Sequence, residues 1–326
     1  MPGSAGFRAT TPHCHERGRR QPFPGCGLQA NRESCDNGLV GTILGERLEE
    51  LRSDRRHGGS WMARRAVEGL VDVAEQQAAT GEELLERLVA AGRELAGSRP
   101  GVGAVAGAVG RLLAAANRHA QLEAEQLRQL VREEAEGLLD GRRRASAAIA
   151  IQLRERLSDA VVLTHSASAT VREALLLTPP ERVICTVSSP QEEGRGFADE
   201  LREAGLEVEL VDDRKAPREF EWASLLLVGA DTVFRCGTLS NKPGTRALAE
   251  AAADEGVPAI VACEVMKLAP ITAAEAPVPP GAVELTPPEL IDSVVTEEGA
   301  YLAEEIPALV DRTPFLREGY ALLRGA

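Results

Sequence analysis

Between about residues 39 and 157, apolar residues recur at steps of three and four. Leu44, Leu48 and Leu51 begin the series. Further runs follow from Trp61 to Ala74, from Leu84 to Leu95 and, after Pro100, over a long stretch from Ala104 to Leu157. This spacing gathers apolar side chains on one face of a helix. The stretch therefore predicts a bundle of amphipathic helices.

The period changes near Asp159. Short apolar runs rich in β-branched residues predict strands at Ala160 to Thr164, Arg182 to Val187, Glu207 to Val211, Ser224 to Gly229 and Pro258 to Cys263. Helical stretches are predicted up to Leu177, over Gly196 to Ala204, over 244–255, and through most of the C-terminus. Buried strands that alternate with helices predict a parallel sheet covered on both faces. The predicted fold class is α/β, with a helical domain at 41–157 and a sheet domain at 158–326.

Residues 1–40 differ from the rest of the chain. They are rich in Gly, Pro and Arg and show neither a helical nor a strand period, so we expect a disordered or loosely attached extension. An alternative is a zinc site formed from His13, Cys14, His15, Cys26 and Cys35. The paired CxxC or HxxxH units typical of structural zinc sites are missing. We therefore predict no metal and no cofactor.

Charge and composition exclude several classes of protein. The 326 residues contain 50 acidic and 37 basic side chains, a formal charge of -13, which argues against nucleic acid because phosphate backbones require a basic face. No apolar run reaches the roughly 18 residues of a membrane span, and the start lacks a secretory signal. Six cysteines are too few for a disulfide scaffold. We expect a reduced, cytoplasmic globular protein.

Polar residues follow the predicted strands where each strand ends. Thr164 to Ser168 follow the first strand, Asp231 and Cys236 to Thr245 follow SLLLVGA, and Lys267 follows PAIVACE. Ligands of such sheets bind beyond the carboxyl ends of the strands. Of the three lysines in the chain, Lys215, Lys242 and Lys267, the last two lie in these segments. A carboxylate, two ammonium groups and hydroxyls suit an anionic, hydroxylated ligand such as a phosphorylated sugar.

Five segments together resemble a known superfamily. They read GADTVFRCGTLSNKPGT from Gly229, HGGSWMARRAVEGL from His57, SRPGV from Ser98, VVLTHSASA from Val161 and TPPELIDSVVTEEG from Thr286. The superfamily joins ribose-1,5-bisphosphate isomerase, methylthioribose-1-phosphate isomerase and the alpha, beta and delta subunits of translation initiation factor 2B. The resemblance implies a helical N-terminal domain, a Rossmann-like C-terminal domain, a site between them, and a homo-oligomer, either a dimer or a hexamer.

The resemblance also implies roles for individual residues. Asp231 falls on the catalytic acid of the isomerases, and Ser166 falls on their catalytic cysteine. The implied substrate-binding residues are Arg56, His57, Gly58, Gly59, Arg99, Ser168, Asn241, Lys242 and Lys267. Among them, Arg99 and Lys267 match phosphate-binding residues.

At three positions this chain has a different residue from the isomerases, and each difference affects catalysis or substrate binding. A thiol can form a thiolate, whereas the Ser166 hydroxyl needs assistance to ionise near neutral pH. Ser189 stands where many isomerases have an arginine, so one phosphate contact is missing. Cys236 stands where asparagine is usual, and it is better explained as a small buried hydrophobic residue.

Two functions from different classes remain. The first is isomerisation of ribose 1,5-bisphosphate to ribulose 1,5-bisphosphate, impaired by Ser166. The second is a non-catalytic regulatory subunit that binds a sugar phosphate or nucleotide, with AMP as a candidate effector and the initiation GTPase as a candidate partner. Methylthioribose-1-phosphate isomerase ranks third, because its Asn-Gly-Asp segment is replaced by Cys236 to Thr238. A Rossmann dehydrogenase is disfavoured because no GxGxxG follows the first strand.

Overall fold

The computed structural model describes residues 34–54, 57–276, 281 and 283–325, with only the backbone for 34–42. The expected extension and the zinc alternative at residues 1–40 fall almost entirely outside these residues, although a helix already begins at Ser34. The N-terminal half consists of five helices: α1 (Ser34–Ser53), α2 (Gly59–Ala74), α3 (Gly81–Gly97), α4 (Gly103–Arg118) and α5 (Ala124–Leu157). None of the described helices is long and apolar enough to cross a membrane.

The helical half has its own apolar core. Leu51, Leu70, Leu88 and Leu112 are buried together there, which follows from their repeat of three and four on successive helices. The long helical stretch from Ala104 to Leu157 consists of two helices, because α4 ends at Arg118 and α5 begins at Ala124. Glu123 caps α5 through a capping box with Gln126, a local signal for a helix start.

The C-terminal half is built on a seven-stranded sheet. Its strands are β1 (Val161–Thr164), β2 (Arg182–Thr186), β3 (Val208–Val211), β4 (Leu225–Val228), β7 (Ala259–Ala262), β10 (Ser293–Thr296) and β11 (Gly299–Tyr301). Their spatial order is β11-β10-β7-β4-β1-β2-β3, and every pair is parallel except β10 with β11. The predicted α/β fold with a helical region before a mostly parallel sheet is therefore confirmed.

Helices cover both faces of this sheet. They are α6 (Ala169–Leu177), α7 (Glu193–Glu203), α8 (Thr245–Asp254), α9 (Ile306–Asp311) and α10 (Pro314–Arg324). Along β4, Leu226 packs with one apolar cluster and Leu225 and Leu227 with another. Both faces of the strand are buried, which explains why β4 is a continuous apolar run without alternation.

The prediction of a largely helical C-terminus is confirmed only after Leu302, where α9 and α10 lie. Before them the chain forms β10 and β11 of the large sheet and completes a second, four-stranded sheet. This second sheet consists of β5 (Thr232–Phe234), β6 (Leu239–Asn241), β8 (Leu268–Ala269) and β9 (Glu284–Thr286), in the order β8-β5-β6-β9. Its strands have only two or three residues, and periodicity over so few residues does not distinguish a strand from a loop. Cys236, expected to be a small buried residue, is exposed in the turn between β5 and β6.

Backbone contacts join the two halves beside β4. The Thr232 hydroxyl donates to the carbonyl of Gly101 at 2.8 Å and accepts from the amide of Gly103 at 2.6 Å. The amide of Ala104 donates to the carbonyl of Asp231 at 3.2 Å. The first turn of α4 is thereby fixed against the segment that follows β4, and this fixes one wall of the site described next.

Candidate functional site

A cavity of about 1090 Å³ opens at the carboxyl ends of β1 and β4. The chain proceeds from β1 towards β2 and β3 on one side, whereas β4 and β7 lie on the other. Neighbouring strands whose connections run in opposite directions leave a crevice in which α/β sheets bind ligands. The segments after both strands, Ser166 to Ser168 and Gly229 to Asp231, line this cavity.

The structure brings nearly all of the predicted site residues to this cavity. Its lining includes His57, Gly58, Gly59, Arg99, Ser166, Ser168, Asp231, Asn241, Lys242 and Lys267. Arg56 lies outside the described residues. These residues come from both halves of the chain, so the cavity lies between the helical bundle and the large sheet.

Asp231 contributes a carboxyl group at the inner end of the cavity. Its main chain is held by a hydrogen bond that the Asp231 amide donates to the carbonyl of Ser240 at 3.0 Å. Burial raises the pKa of Asp231, while Lys267, Arg99 and Lys242 act against that rise. A β-carbon at Gly59 would lie 3.3 Å from its Oδ1, so the glycine lets helix α2 begin close to the carboxyl. A carboxyl with a raised pKa is suited to giving and taking protons.

Ser166 lies on the loop after β1 in a left-handed conformation, with φ of 66°. Its amide donates to Oγ of Ser188 at 2.8 Å, and its hydroxyl donates to Oε1 of Glu193 at 2.7 Å. The hydroxyl therefore has a carboxylate partner. That carboxylate also pairs with Lys242, which weakens it as a base for activating serine.

Glu193 was not predicted from the sequence. It is the first residue of α7, its Oε2 accepts from Nζ of Lys242 at 2.9 Å, and its Oε1 lies 2.7 Å from the same ammonium. Oε1 of Gln191 accepts from the same ammonium at 2.6 Å. In the sequence, Glu193 lies among Gln191, Glu192 and Gly194 before a predicted helix, and this setting is typical of a solvated turn. Only the return of the chain over β1 brings it to Lys242.

Lys267 lies on a 3-10 turn after β7 and is buried. Its Nζ is 3.3 Å from Oε2 of Glu264, and Oε1 of Glu264 is 3.7 Å from Nη2 of Arg142 on α5. The two cations hold the pKa of Glu264 below its usual value, although burial acts in the opposite direction. Met266, next to Lys267, packs into the helical core. The lysine is thus fixed by both halves of the chain.

The outer wall comes from the loop before α2 and the loop before α4. Arg99 donates through Nη2 to the carbonyl of Asp54. Nδ1 of His57 is 2.7 Å from Oδ2 of Asp54, and the His57 ring stacks on Trp61 with centroids 4.2 Å apart. Asp54 and Trp61 thus position residues that were predicted to bind substrate.

Two other predicted binding residues, Ser168 and Asn241, form hydrogen bonds within the protein. The Ser168 hydroxyl caps α6 by accepting from the amide of Val171 at 3.3 Å. Nδ2 of Asn241 donates to Oγ1 of Thr245 at 3.2 Å. Each still lines the cavity, and each has a further donor or acceptor to offer a ligand.

A buried histidine supports the loop after β1. Nε2 of His165 is 2.9 Å from the carbonyl of Pro243, and Nδ1 is 2.7 Å from Oγ1 of Thr186. A carbonyl can only accept, so Nε2 carries the proton and Nδ1 accepts from the threonine. Burial lowers the pKa of His165. The neutral ring therefore links β1 and β2 to the loop that carries Lys242.

The chain resembles known proteins in sequence and in fold. The model of the initiation factor 2 subunit family matches residues 55–281. The eIF-2B subunit 2-like protein of Pyrococcus horikoshii is 33% identical over 232 residues, which cover 69% of this chain and 79% of that protein. Ribose 1,5-bisphosphate isomerase of Archaeoglobus fulgidus is 30% identical over 282 residues, which cover 78% of this chain and 88% of the isomerase.

A solved structure agrees with these relatives. The crystal structure of translation initiation factor eIF-2B from P. horikoshii OT3 has a TM-score of 0.69 at 25% identity, covering 79% of this chain and 96% of that one. The superfamily resemblance inferred from the five sequence segments is therefore confirmed.

Proposed function

Since the chain belongs to the initiation factor 2 subunit family, we propose that it is a sugar-phosphate aldose–ketose isomerase, with ribose 1,5-bisphosphate as its substrate. The observation that carries this proposal is the Asp231 carboxyl, which faces the cavity with a raised pKa. Arg99, Lys242 and Lys267 line the same cavity. Cations for phosphate and a carboxyl for proton transfer are what such a reaction requires.

The proposed reaction uses Asp231 twice. Protonated Asp231 donates its proton to the ring oxygen of the sugar as the bond from that oxygen to C1 breaks. The hydrogen on C2 then moves with its electron pair to C1. The 2-hydroxyl returns a proton to Asp231, and C2 becomes a carbonyl. Because the pKa of Asp231 is raised, the protonated form with which this sequence begins is more accessible than it would be for an exposed aspartate.

In this scheme Ser166 binds and does not ionise. Its hydroxyl donates to Glu193, and Lys242 already compensates the charge of that carboxylate. Without a thiolate to remove the C2 proton, direct transfer of the hydrogen within the sugar is the route left to this chain. We therefore propose that Ser166 orients the sugar and that Asp231 alone exchanges protons with it.

The test is incubation of the purified chain with ribose 1,5-bisphosphate in D₂O, followed by ¹³C and ³¹P NMR. We expect ribulose 1,5-bisphosphate without deuterium at C1, because the hydrogen does not exchange with solvent. The Ser166→Cys variant tests whether a thiol adds a faster route that introduces deuterium. If neither protein forms ribulose 1,5-bisphosphate, the isomerase proposal is wrong.

The second candidate is a non-catalytic regulatory subunit that binds a sugar phosphate or AMP. The Ser166–Glu193 bond favours it, because this hydroxyl is not prepared for nucleophilic or base chemistry. The relative that is 33% identical is an eIF-2B subunit 2-like protein. Thermal shift with sugar phosphates and AMP, together with pull-down of the initiation GTPase, distinguishes the two candidates. A ligand shift and a bound GTPase without turnover would favour the regulatory subunit.

A further inference from the structure

Lys242 already has partners within the protein. Its Nζ donates to Oε1 of Gln191 at 2.6 Å and to Oε2 of Glu193 at 2.9 Å, and it lies 2.7 Å from Oε1 of the same carboxylate. The side chains of Lys242 and Glu193 are only 14% and 16% exposed. The Glu193 carboxylate therefore compensates the charge of the ammonium, and a phosphate that approaches Lys242 competes with this carboxylate.

The Glu193 carboxylate is held from two further directions. The Ser166 hydroxyl donates to its Oε1 at 2.7 Å. Glu193 is also the first residue of an 11-residue helix, where the helix dipole stabilises a negative charge. Displacing this carboxylate has a free-energy cost that the ligand must offset.

Lys267 differs from Lys242 in this respect. Its partner Glu264 is 2% exposed and lies behind the cavity wall, whereas Glu193 is part of the wall. A phosphate near Lys267 does not compete with the Glu264 carboxylate for space. A phosphate near Lys242 meets the Glu193 carboxylate directly.

We propose that Glu193 is a displaceable counter-ion of Lys242, which gives way when the second phosphate of a sugar bisphosphate binds. The proposal rests on the proposed function, because it assigns the cavity to sugar phosphates. One phosphate is accepted without displacement of Glu193. A sugar bisphosphate binds only as its second phosphate replaces Glu193 at Lys242.

Isothermal titration calorimetry at constant ionic strength tests this, with ribose 5-phosphate and ribose 1,5-bisphosphate as probes. Glu193→Gln keeps an oxygen acceptor for Ser166 and Lys242 but removes the charge. We expect it to raise affinity for the bisphosphate about tenfold and for the monophosphate by less than about threefold, since one like charge near the second phosphate is removed. The matched control is Glu192→Gln, which makes the same change in net charge on the cavity wall at a residue paired with Arg195.

A double variant distinguishes an effect that acts through Lys242 from a general change in the electrostatic potential of the cavity. In Glu193→Gln with Lys242→Met, the selective gain for the bisphosphate should disappear, because the freed ammonium is gone. An equal gain for both ligands, or an equal selective gain in Glu192→Gln, would overturn the assignment of Glu193 and leave the proposed function intact. If neither the original protein nor the Glu193→Gln variant binds either sugar phosphate, both proposals fall together.

Discussion

Asp231→Asn separates the catalytic role of Asp231 from its effect on stability. The amide has nearly the same shape, and the two backbone hydrogen bonds of Asp231, to Ser240 and Ala104, do not involve the side chain. What changes is the proton chemistry. An amide cannot donate and recover a proton, so the proposed reaction loses its acid and base while the fold stays intact.

We expect Asp231→Asn to lower activity and to raise stability. Loss of a general acid–base group lowers kcat by about 10²- to 10⁴-fold, or roughly 3 to 5 kcal/mol in the activation barrier. Stability at pH 7 should rise by about 1 to 2 kcal/mol, the usual cost of an incompletely compensated buried polar group. That corresponds to about 2 to 4 °C in Tm for each kcal/mol.

The stability effect also has a defined pH dependence. Burial raises the pKa of Asp231 above its ordinary value of 3.8, so the folded protein binds this proton more strongly than the unfolded chain. Stability therefore falls as pH rises from about 3.8 through the folded pKa, and the full penalty is present above it. The advantage of Asp231→Asn should shrink as the pH approaches 4.

The assay pairs NMR turnover of ribose 1,5-bisphosphate with thermal unfolding between pH 4 and 8. Asp254→Asn is the control, because Asp254 is exposed at the end of α8, and it should change neither measurement. Turnover of Asp231→Asn within threefold of the original protein would refute the role in proton transfer. A lower Tm of that variant at pH 7 would refute the claim that burial destabilises the ionised carboxyl.

Three further results are expected from urea denaturation. Gly107→Ala should lower the free energy of unfolding by about 2 to 3 kcal/mol, because the new β-carbon would lie 1.8 Å from the carbonyl oxygen of Met266. Gly137→Ala is the matched control: its β-carbon would meet open space, and we expect it to raise the free energy of unfolding by about 0.5 to 1 kcal/mol. Glu264→Gln should lower the free energy of unfolding by about 3 to 5 kcal/mol, because it leaves the buried Lys267 and the partly buried Arg142 without this carboxylate. A loss below about 1 kcal/mol would contradict that. Burial lowers the pKa of His165, so stability should decrease as pH falls below about 6.5, and His165→Asn should reduce this decrease.

The helices and five strands of the large sheet were predictable. The helices follow from apolar spacing over a whole element, and β1, β2, β3, β4 and β7 follow from apolar runs rich in β-branched residues that alternate with those helices. The short strands between Thr232 and Thr286 were missed. Their two or three residues carry no period, and their pairing depends on segments distant in the chain.

The candidate site shows the same division. Asp231, Lys242 and Lys267 could be selected from the sequence, because they follow strands whose ends meet at one edge of a parallel sheet. Glu193 could not, because a carboxylate in a polar turn gives no local sign of the ammonium it will contact. Glu264 and Arg142 are similar, since their buried pair joins residues from the two halves of the chain.

The sequence by itself determined the kind of fold, the superfamily and the edge of the sheet where polar groups gather, because these depend on local periods and on residues close together in the chain. The tertiary structure decided how the charges are compensated. Electrostatic energy and burial depend on distances in space, and only folding brings Glu193 to Lys242 and partly buries the Asp231 carboxyl. Lys242, Lys267 and Asp231 could be selected from the sequence. Glu193 and Glu264, which form ion pairs with the two lysines, could not.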